Sequence, residues 1–392
     1  MENLIPLLES ISGLLKNKEE DNIVLSLMIH DAKKKPEKAN PSLLTLLRKI
    51  KKYPALSIFD DQMQVLGNSA VRVDYGFLVH WLIRRTSSVG AKIAIQDLKK
   101  YISTSKLPFF EITAISGFNT NKTCILGNSI KLMPWDELTI SHEKEHIHKQ
   151  FISGAPFHYP KSILLREKTI KRVHVHQDET NAHFDKDLFS ESHDALLCIS
   201  VVGPVSPYAI ASWLQPPDWT VTSGSGYSLP YIEGRSTHRE WPEDGCEQAL
   251  IIHKSFLDLN EKQKTVLRLS MGRLNTAMRR YSPVDAAIDL GIALESIFLS
   301  DLAGDRGELT YRLKLRASKY LGRSLDEKKE LFNIFGDLYL ARSIAVHTGK
   351  LPEKIRKKPI NDLLNIGFDH TARAIRLVIL NGQPDWTAIT LN

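Results

Sequence analysis

The chain has 392 residues, 42% apolar and 25% charged, a folded globular composition too long for one ordinary core. No apolar run approaches the roughly 20 residues that cross a bilayer. Residues 3–15, though helix-like, follow an acidic Glu2 and lack a cleavage site, so neither a membrane span nor a secretory signal is expected.

The formal charge of +7 lies in the last third of the chain. Lys+Arg against Asp+Glu stand at 29 to 29 over residues 1–250 and at 23 to 16 over residues 251–392. A basic segment beside a neutral one fits a polyanion partner, most simply nucleic acid, and fits an ordinary solubilising surface equally well. Cys124, Cys198 and Cys246 are odd in number, widely spaced and free of a CxxC, the pattern of buried reduced thiols in a cytoplasmic protein.

Residues 1–105 read as a helical region. Apolar stripes recur at Leu7, Ile11, Leu14 and Leu15, at Leu43, Leu44, Leu47 and Ile50, at Phe77, Leu78, Trp81 and Leu82, and over 94–101, with a polar loop at 33–41. The texture changes at Leu107. Strands are expected at 109–115, at 123–126 and 130–133 around a Gly127-Asn128 turn, and at 162–165, 171–176 and 196–202. Pro, Gly and Ser dominate 203–242, read as irregular, so 106–250 is expected to be a β-rich domain.

Residues 251–392 are expected to form a helical bundle. Its first helix covers about 261–280. The second, 284–302, opens with Ser282 as N-cap and Pro283 at N1 and is apolar on nearly every face, so it should be the buried centre. A third runs over 308–321 to a stop at Gly322, and a fourth over 326–348 to a stop at Gly349. A Lys-rich loop, 350–358, then leads to a fifth helix at 360–380. The fold class expected is α+β and multidomain: helical segment, β-rich domain, all-α bundle.

Chemistry concentrates at the end of the fourth helix, where Arg342 and His347 form Arg-x-x-x-x-His before Gly349. Positions five apart on a helix differ by about 140°, so one helix cannot converge both side chains on one atom. It can line a cleft with them, and two facing copies place two Arg and two His around one strand. Arg is a permanent cation whose planar fork matches a phosphate, and His exchanges a proton near neutral pH. Together they can hold a phosphodiester and deprotonate a ribose 2′-OH without a metal. The negative end of the helix dipole favours imidazolium at His347, which suits a general acid or phosphate binder better than a base. Glu295, the lone acid in the middle of the second helix, needs a partner there. Arg342 is one candidate and a salt bridge elsewhere is the other.

The order of these pieces resembles the Apea-like HEPN domain family. Ala293-Leu294-Glu295-Ser296-Ile297-Phe298 stands in the apolar helix, followed by 311–317 and Tyr320-Leu321-Gly322. Leu338, Tyr339, Arg342, Ser343, His347 and Gly349 follow in the motif helix. The likeness covers about a third of the chain and is specific as a set. It implies a HEPN-type helical bundle and a dimeric endoribonuclease that cuts RNA by 2′-OH attack. Arg342 and His347 take the motif positions, Ser343 is the polar residue after the Arg, and no cofactor is needed. It also implies a role in antiviral defence or a toxin–antitoxin system, with a regulatory protein or antitoxin as a further partner. The alternative on the same fold is a non-catalytic module that dimerises and binds RNA or protein. The homodimer is expected through the C-terminal domain, because the second helix and Leu338-Tyr339-Leu340 carry more apolar surface than five helices hide.

A third class is a zinc hydrolase, since His142-Glu143-Lys144-Glu145-His146 matches H-E-x-x-H, with His148 beyond. Lys and Glu at the two x positions, with Lys149-Gln150 following, instead describe a solvated surface loop, and no metal site is expected. Ser223 to Gly226 lacks the Lys-Ser/Thr of a phosphate loop and reads as a turn. Arg312, Lys314 and Arg316 on the third helix are candidates for an RNA-backbone groove, or a solvated helix face. Lys354, Arg356, Lys357 and Lys358 form a denser cluster that, as a flexible loop, would hold flanking phosphates.

Overall fold

The computed structural model describes the whole chain except residues 14–19, 35–36, 38, 128, 140, 155–157, 204, 223–240, 303–307 and 392. Leu14, Leu15, Asn128, part of the 33–41 loop and the 223–226 turn therefore lie outside the described residues. Helices α1 (Ile5–Ser12), α2 (Glu20–Lys34) and α3 (Pro41–Ile50) precede strands β1 (Gln62–Leu66) and β2 (Ser69–Val73), then α4 (Tyr75–Val89) and α5 (Ala91–Ser103). Next come β3 (Lys106–Ser116), β4 (Cys124–Leu126), β5 (Ile130–Pro134) and α6 (His142–Ile152). They are followed by β6 (Ser162–Lys171), β7 (Val173–Val175), α7 (Ser190–Ile199) and β8 (Tyr208–Gln215). Helices α8 (Gly245–Leu257), α9 (Glu261–Arg279), α10 (Pro283–Phe298), α11 (Leu309–Leu321) and α12 (Leu325–Thr348) follow. A short hairpin of β9 (Lys354–Ile355) and β10 (Lys358–Pro359) leads to α13 (Ile360–Asn381) and α14 (Trp386–Leu391). The chain is thus a mixed helix-and-sheet protein with helices at its C-terminal end.

Contacts divide the chain into two compact units, and the cuts differ from the three segments expected. The first comprises Met1–Glu111, Glu167–Leu188 and Trp213–Tyr227, the second Ile112–Arg166, Phe189–Ser212 and Ser228–Asn392. The first unit is not purely helical. β1 pairs antiparallel with β2, Gln62 opposite Val73, and with β7, Met63 opposite Val175. The two-residue turn Gly67-Asn68 carries Gly67 at φ +59°, a left-handed position that glycine fills without strain. Tyr101 of α5 is fully buried, stacks on Phe59 and accepts a hydrogen bond from the Gln64 amide.

The second unit holds the sheet ordered β4-β5-β6-β3-β8, of which β3, β6 and β8 also run into the first unit. One apolar core joins its strands to its helices: Ile115, Leu126, Leu132 and Leu164 belong to the same cluster as Ile252, Phe256, Leu290 and Phe335. A boundary at residue 250 therefore runs through a single core. Residues 196–202, expected as a strand, lie mostly in α7. The run Ala195–Ile199 is buried throughout, and a short apolar run without period fits a buried helix as well as a strand. β8 crosses the stretch expected to be irregular, and α8 begins where β structure was expected.

Helix starts follow local chemistry. Asn260 and Gln263 form a reciprocal capping box on α9. The Ser282 hydroxyl accepts from the Asp285 amide above Pro283 on α10, and the Ser324 hydroxyl accepts from the Glu327 amide on α12. α10 packs against α9, α11, α12 and α13, the central place that its all-round apolar sequence demands.

A pH dependence of stability is expected from three histidines, His253 fully buried and His174 and His370 half-buried. Burial pushes His174 down to about 4 and lowers His253 and His370, and His253 is fully buried with neither ring nitrogen hydrogen-bonded among the described residues. A histidine held neutral in the folded state gains nothing above its ordinary pKa of about 6.5. Below that value the unfolded chain takes up protons that the folded chain refuses, so stability falls. The urea midpoint is expected to drop steadily from pH 7 to about pH 4, and a midpoint that is flat or rising over that range contradicts this account.

Candidate active site

α10 and α12 cross where Gly291 meets Arg342. A β-carbon built on Gly291 would lie 2.3 Å from Arg342 Cγ and 3.0 Å from its Cβ, so the close approach depends on the missing side chain. One turn further along α10, Glu295 Oε1 lies 3.3 Å from an Nη of Arg342 and accepts a hydrogen bond of 3.0 Å from the Tyr339 hydroxyl. The Arg342 guanidinium carbon stands 5.7 Å from the Tyr339 ring centre. Burial, and then the Glu295 charge, raise the Tyr339 phenol above its ordinary value, so it stays a donor. Arg342 and Glu295 are only about a quarter exposed, at 26% and 29%, and Arg342 Nε is buried without a partner among the described residues.

The pairing of Glu295 with Arg342 was one of two alternatives open from the sequence. Gly291 was not singled out, and Tyr339 stood out only as a piece of the resemblance and as apolar surface, although Gly291-x-x-x-Glu295 and Tyr339-x-x-Arg342 are the spacings that stack side chains on one helical face. Ser343 is half-buried beside Arg342, and His347 is exposed in the last turn of α12. Gly349 closes the helix at φ +64°, its amide donating to the Ala345 carbonyl. No hydrogen bond or ion pair among the described residues joins His347 to Arg342, Ser343 or Glu295. For Arg342 that is what five residues on one helix dictate, since the two side chains leave the axis about 140° apart and about 7.5 Å along it. Leu340 (41% exposed) lies seven residues before His347 on the same face, with Ser343 between.

Gly291→Ala tests the crossing. Overpacking costs about 1–3 kcal/mol, against which alanine returns about 1 kcal/mol of helix propensity. The contact is with the base of the Arg342 side chain and not its flexible end, so a net loss in the urea midpoint is expected together with displacement of the guanidinium. An unchanged or raised midpoint rules out the tight crossing.

The basic residues separate into different roles. Arg316, a candidate for an RNA groove or a solvated helix face, is 6% exposed, and its guanidinium donates to the Phe298 carbonyl (2.7 Å) and to both oxygens of Asp301 (2.6 and 3.0 Å). It is a tie within the bundle, because its place on the inner face of α11 leaves it little exposure to water. Lys314 lies over the Phe332 ring at 4.4 Å, and Arg312 is half-buried. The 350–358 stretch is not a featureless loop. Arg356 and Lys357 form the two-residue turn between β9 and β10 at φ +46° and +79°, the left-handed pair that a tight hairpin demands. Arg356 reaches back 3.1 Å to Asp337, a nearly buried carboxylate on α12, while Lys354 and Lys357 are exposed and Lys358 is half-buried.

The charged segment at 142–152 is helix α6 and not the surface loop expected. The Ser141 hydroxyl accepts from the Lys144 amide, and Lys144 Nζ donates to the Leu138 carbonyl at 2.6 Å. That cap and that anchor hold a helix whose composition reads as loop. His146 contacts Gln150, and His148 Nδ1 contacts the Tyr159 hydroxyl at 3.2 Å. The His142 side chain lies outside the described residues. Among those described, no group of three or more His, Cys, Asp and Glu side chains is placed to hold a metal ion. No helix is long and apolar enough to cross a membrane among the described residues. No family model matches the chain, and no curated protein and no solved structure matches it.

Proposed function

We propose that the chain is a metal-independent endoribonuclease of HEPN type, cutting RNA by attack of the 2′-hydroxyl at a composite site built from two copies of α12. The observation that carries the reading is the preset Arg342. Its guanidinium is held by Glu295, which Tyr339 also holds, on the helix whose exposed last turn carries His347. In the proposed reaction Arg342 binds the non-bridging oxygens of the scissile phosphodiester through the donors that Glu295 leaves open. His347 moves the proton at the ribose 2′-oxygen or at the departing 5′-oxygen. Because one chain cannot converge the two groups, the partner copy supplies the second Arg342–His347 set. The exposed Leu340 and Val346 of α12 support such an interface.

The Glu295 contact also favours a second reading. A guanidinium already neutralised by a carboxylate is a weaker anion binder, which suits a non-catalytic module that dimerises and binds RNA or protein. One experiment separates the two: total RNA and single-stranded DNA are incubated with the purified protein in EDTA, with light scattering on the same sample. The ribonuclease reading expects a dimer, RNA cleaved into fragments ending in 2′,3′-cyclic phosphate, and intact DNA, which lacks the attacking hydroxyl. Dimer and RNA binding without cleavage support the module instead, and a monomer that does neither removes both.

A further inference from the structure

β4, which opens with Cys124, packs along α8, whose first turn carries Cys246, 122 positions later in sequence. One end of that contact is fixed at Gly127, where a β-carbon would stand 2.6 Å from His253 Nδ1 and 3.0 Å from Leu257 Cδ1. From Gly127 back to Cys124 is three strand residues, about 10 Å. From His253 back to Cys246 is seven helical residues, about 10.5 Å. Phe118, before β4, meets Trp241, before α8, and Gly127, after β4, meets His253 within α8, so the two elements run the same way and similar steps from the shared end bring Cys124 and Cys246 to the same level. The other end is pinned too: the Trp241 ring lies against Gly245 and edge-on to Phe118 at 4.8 Å, which holds the first turn of α8 in place.

A separate observation agrees with that placement. Burial, and after it hydrogen bonding and charge interaction with the Cys246 thiol, push the Cys124 thiol well above its ordinary range. Both residues are half-buried, within reach of a small molecule, whereas Cys198 is fully buried.

We infer that Cys124 and Cys246 form a reversible disulfide that fastens the start of α8 to strand β4, with a small-molecule disulfide as oxidant. The inference does not rest on the ribonuclease reading. The exchange balances with glutathione disulfide as the co-reactant. The Cys246 thiolate attacks one glutathione sulfur and releases a glutathione thiolate. Cys124 then gives up its proton, attacks Cys246 Sγ and releases the second glutathione. The protein sulfurs lose two electrons, and one glutathione disulfide becomes two glutathione thiols.

The test is oxidation of the folded full chain with excess glutathione disulfide, quenching with N-ethylmaleimide, digestion and mass analysis. The expected product is a Cys124–Cys246 cross-linked peptide that dithiothreitol returns to two thiols, with Cys198 still reduced when the protein is later unfolded. Cys124→Ser is expected to abolish the cross-link and leave glutathione on Cys246. Stable glutathione adducts on the wild-type pair, both thiols remaining free, or a cross-link that involves Cys198 each overturn the inference.

Discussion

Replacing His347 with alanine is expected to slow RNA cleavage by about 10²–10⁴-fold, the range for losing a proton-transfer group. The fold should be untouched, because the side chain is exposed at the end of α12 and the left-handed stop at Gly349 needs only the backbone. Arg342→Lys should fall almost as far as Arg342→Ala. An ammonium cannot reproduce a fork that meets Glu295 on one side and, in the proposed reaction, would meet phosphate on the other. Arg342→Ala should in addition lower stability modestly, since among the described residues it leaves the partly buried Glu295 with the Tyr339 hydroxyl as its remaining partner. Changing Lys357 on the hairpin turn and Lys358 beside it should instead weaken binding mildly and flatten its salt dependence, because in the proposed complex these charges would meet flanking phosphates without touching the reaction. A His347→Ala preparation that cleaves RNA at the wild-type rate, freed of contaminating nuclease, removes the catalytic assignment and leaves the binding module.

The sequence was most legible where local chemistry and packing agree. α9, α10, α12 and α13 begin and end within a few residues of expectation, because Asn260, Ser282-Pro283, Ser324, Gly349 and Gly382 mark their ends while their apolar stripes face one core. It was least legible where tertiary burial overrides local pattern. The run Ala195–Ile199 carries no period because every side of α7 is covered there. α6 reads as solvent because its helix depends on the Ser141 cap and the Lys144 anchor more than on an apolar face. β1 and β2 did carry their signal, a Gly67-Asn68 pair between two five-residue segments, but it sits among helices whose stripes dominate the first hundred residues. The candidate site divides in the same way. Arg342, His347 and Glu295 stand out by residue type, whereas the role of Gly291 appears only when α10 meets α12. The proximity of Cys124 and Cys246 is invisible to spacing, since it follows from a helix laid along a strand 122 residues earlier.

Arg316 divides a structural tie from an RNA-binding surface, and its removal is expected to destabilise the protein by about 2–4 kcal/mol. The guanidinium makes three hydrogen bonds, one to the Phe298 carbonyl and two to Asp301, and its carbon lies 5.5 Å from the Trp386 ring centre. Trp386 in turn packs on Phe298 and Tyr320 with ring centres 5.5 and 5.4 Å apart, so the arginine closes one side of an aromatic cluster between α10, α11 and α14. Truncation to alanine orphans the carbonyl at the end of α10, leaves a void beside Trp386 and frees the Asp301 carboxylate. Asp301 is 41% exposed and can recover water, which keeps the loss below that of a pair buried on both sides. Arg316→Lys should recover little, since one ammonium cannot bridge the carbonyl and both carboxylate oxygens in the same geometry. Urea unfolding measures the cost. At conditions where the variant remains folded, the salt slope of RNA binding should match wild type, because this cation is not offered to phosphate. A midpoint within about 0.5 kcal/mol of wild type, or a salt slope reduced by about one unit, returns Arg316 to the surface on which its sequence pattern had placed it.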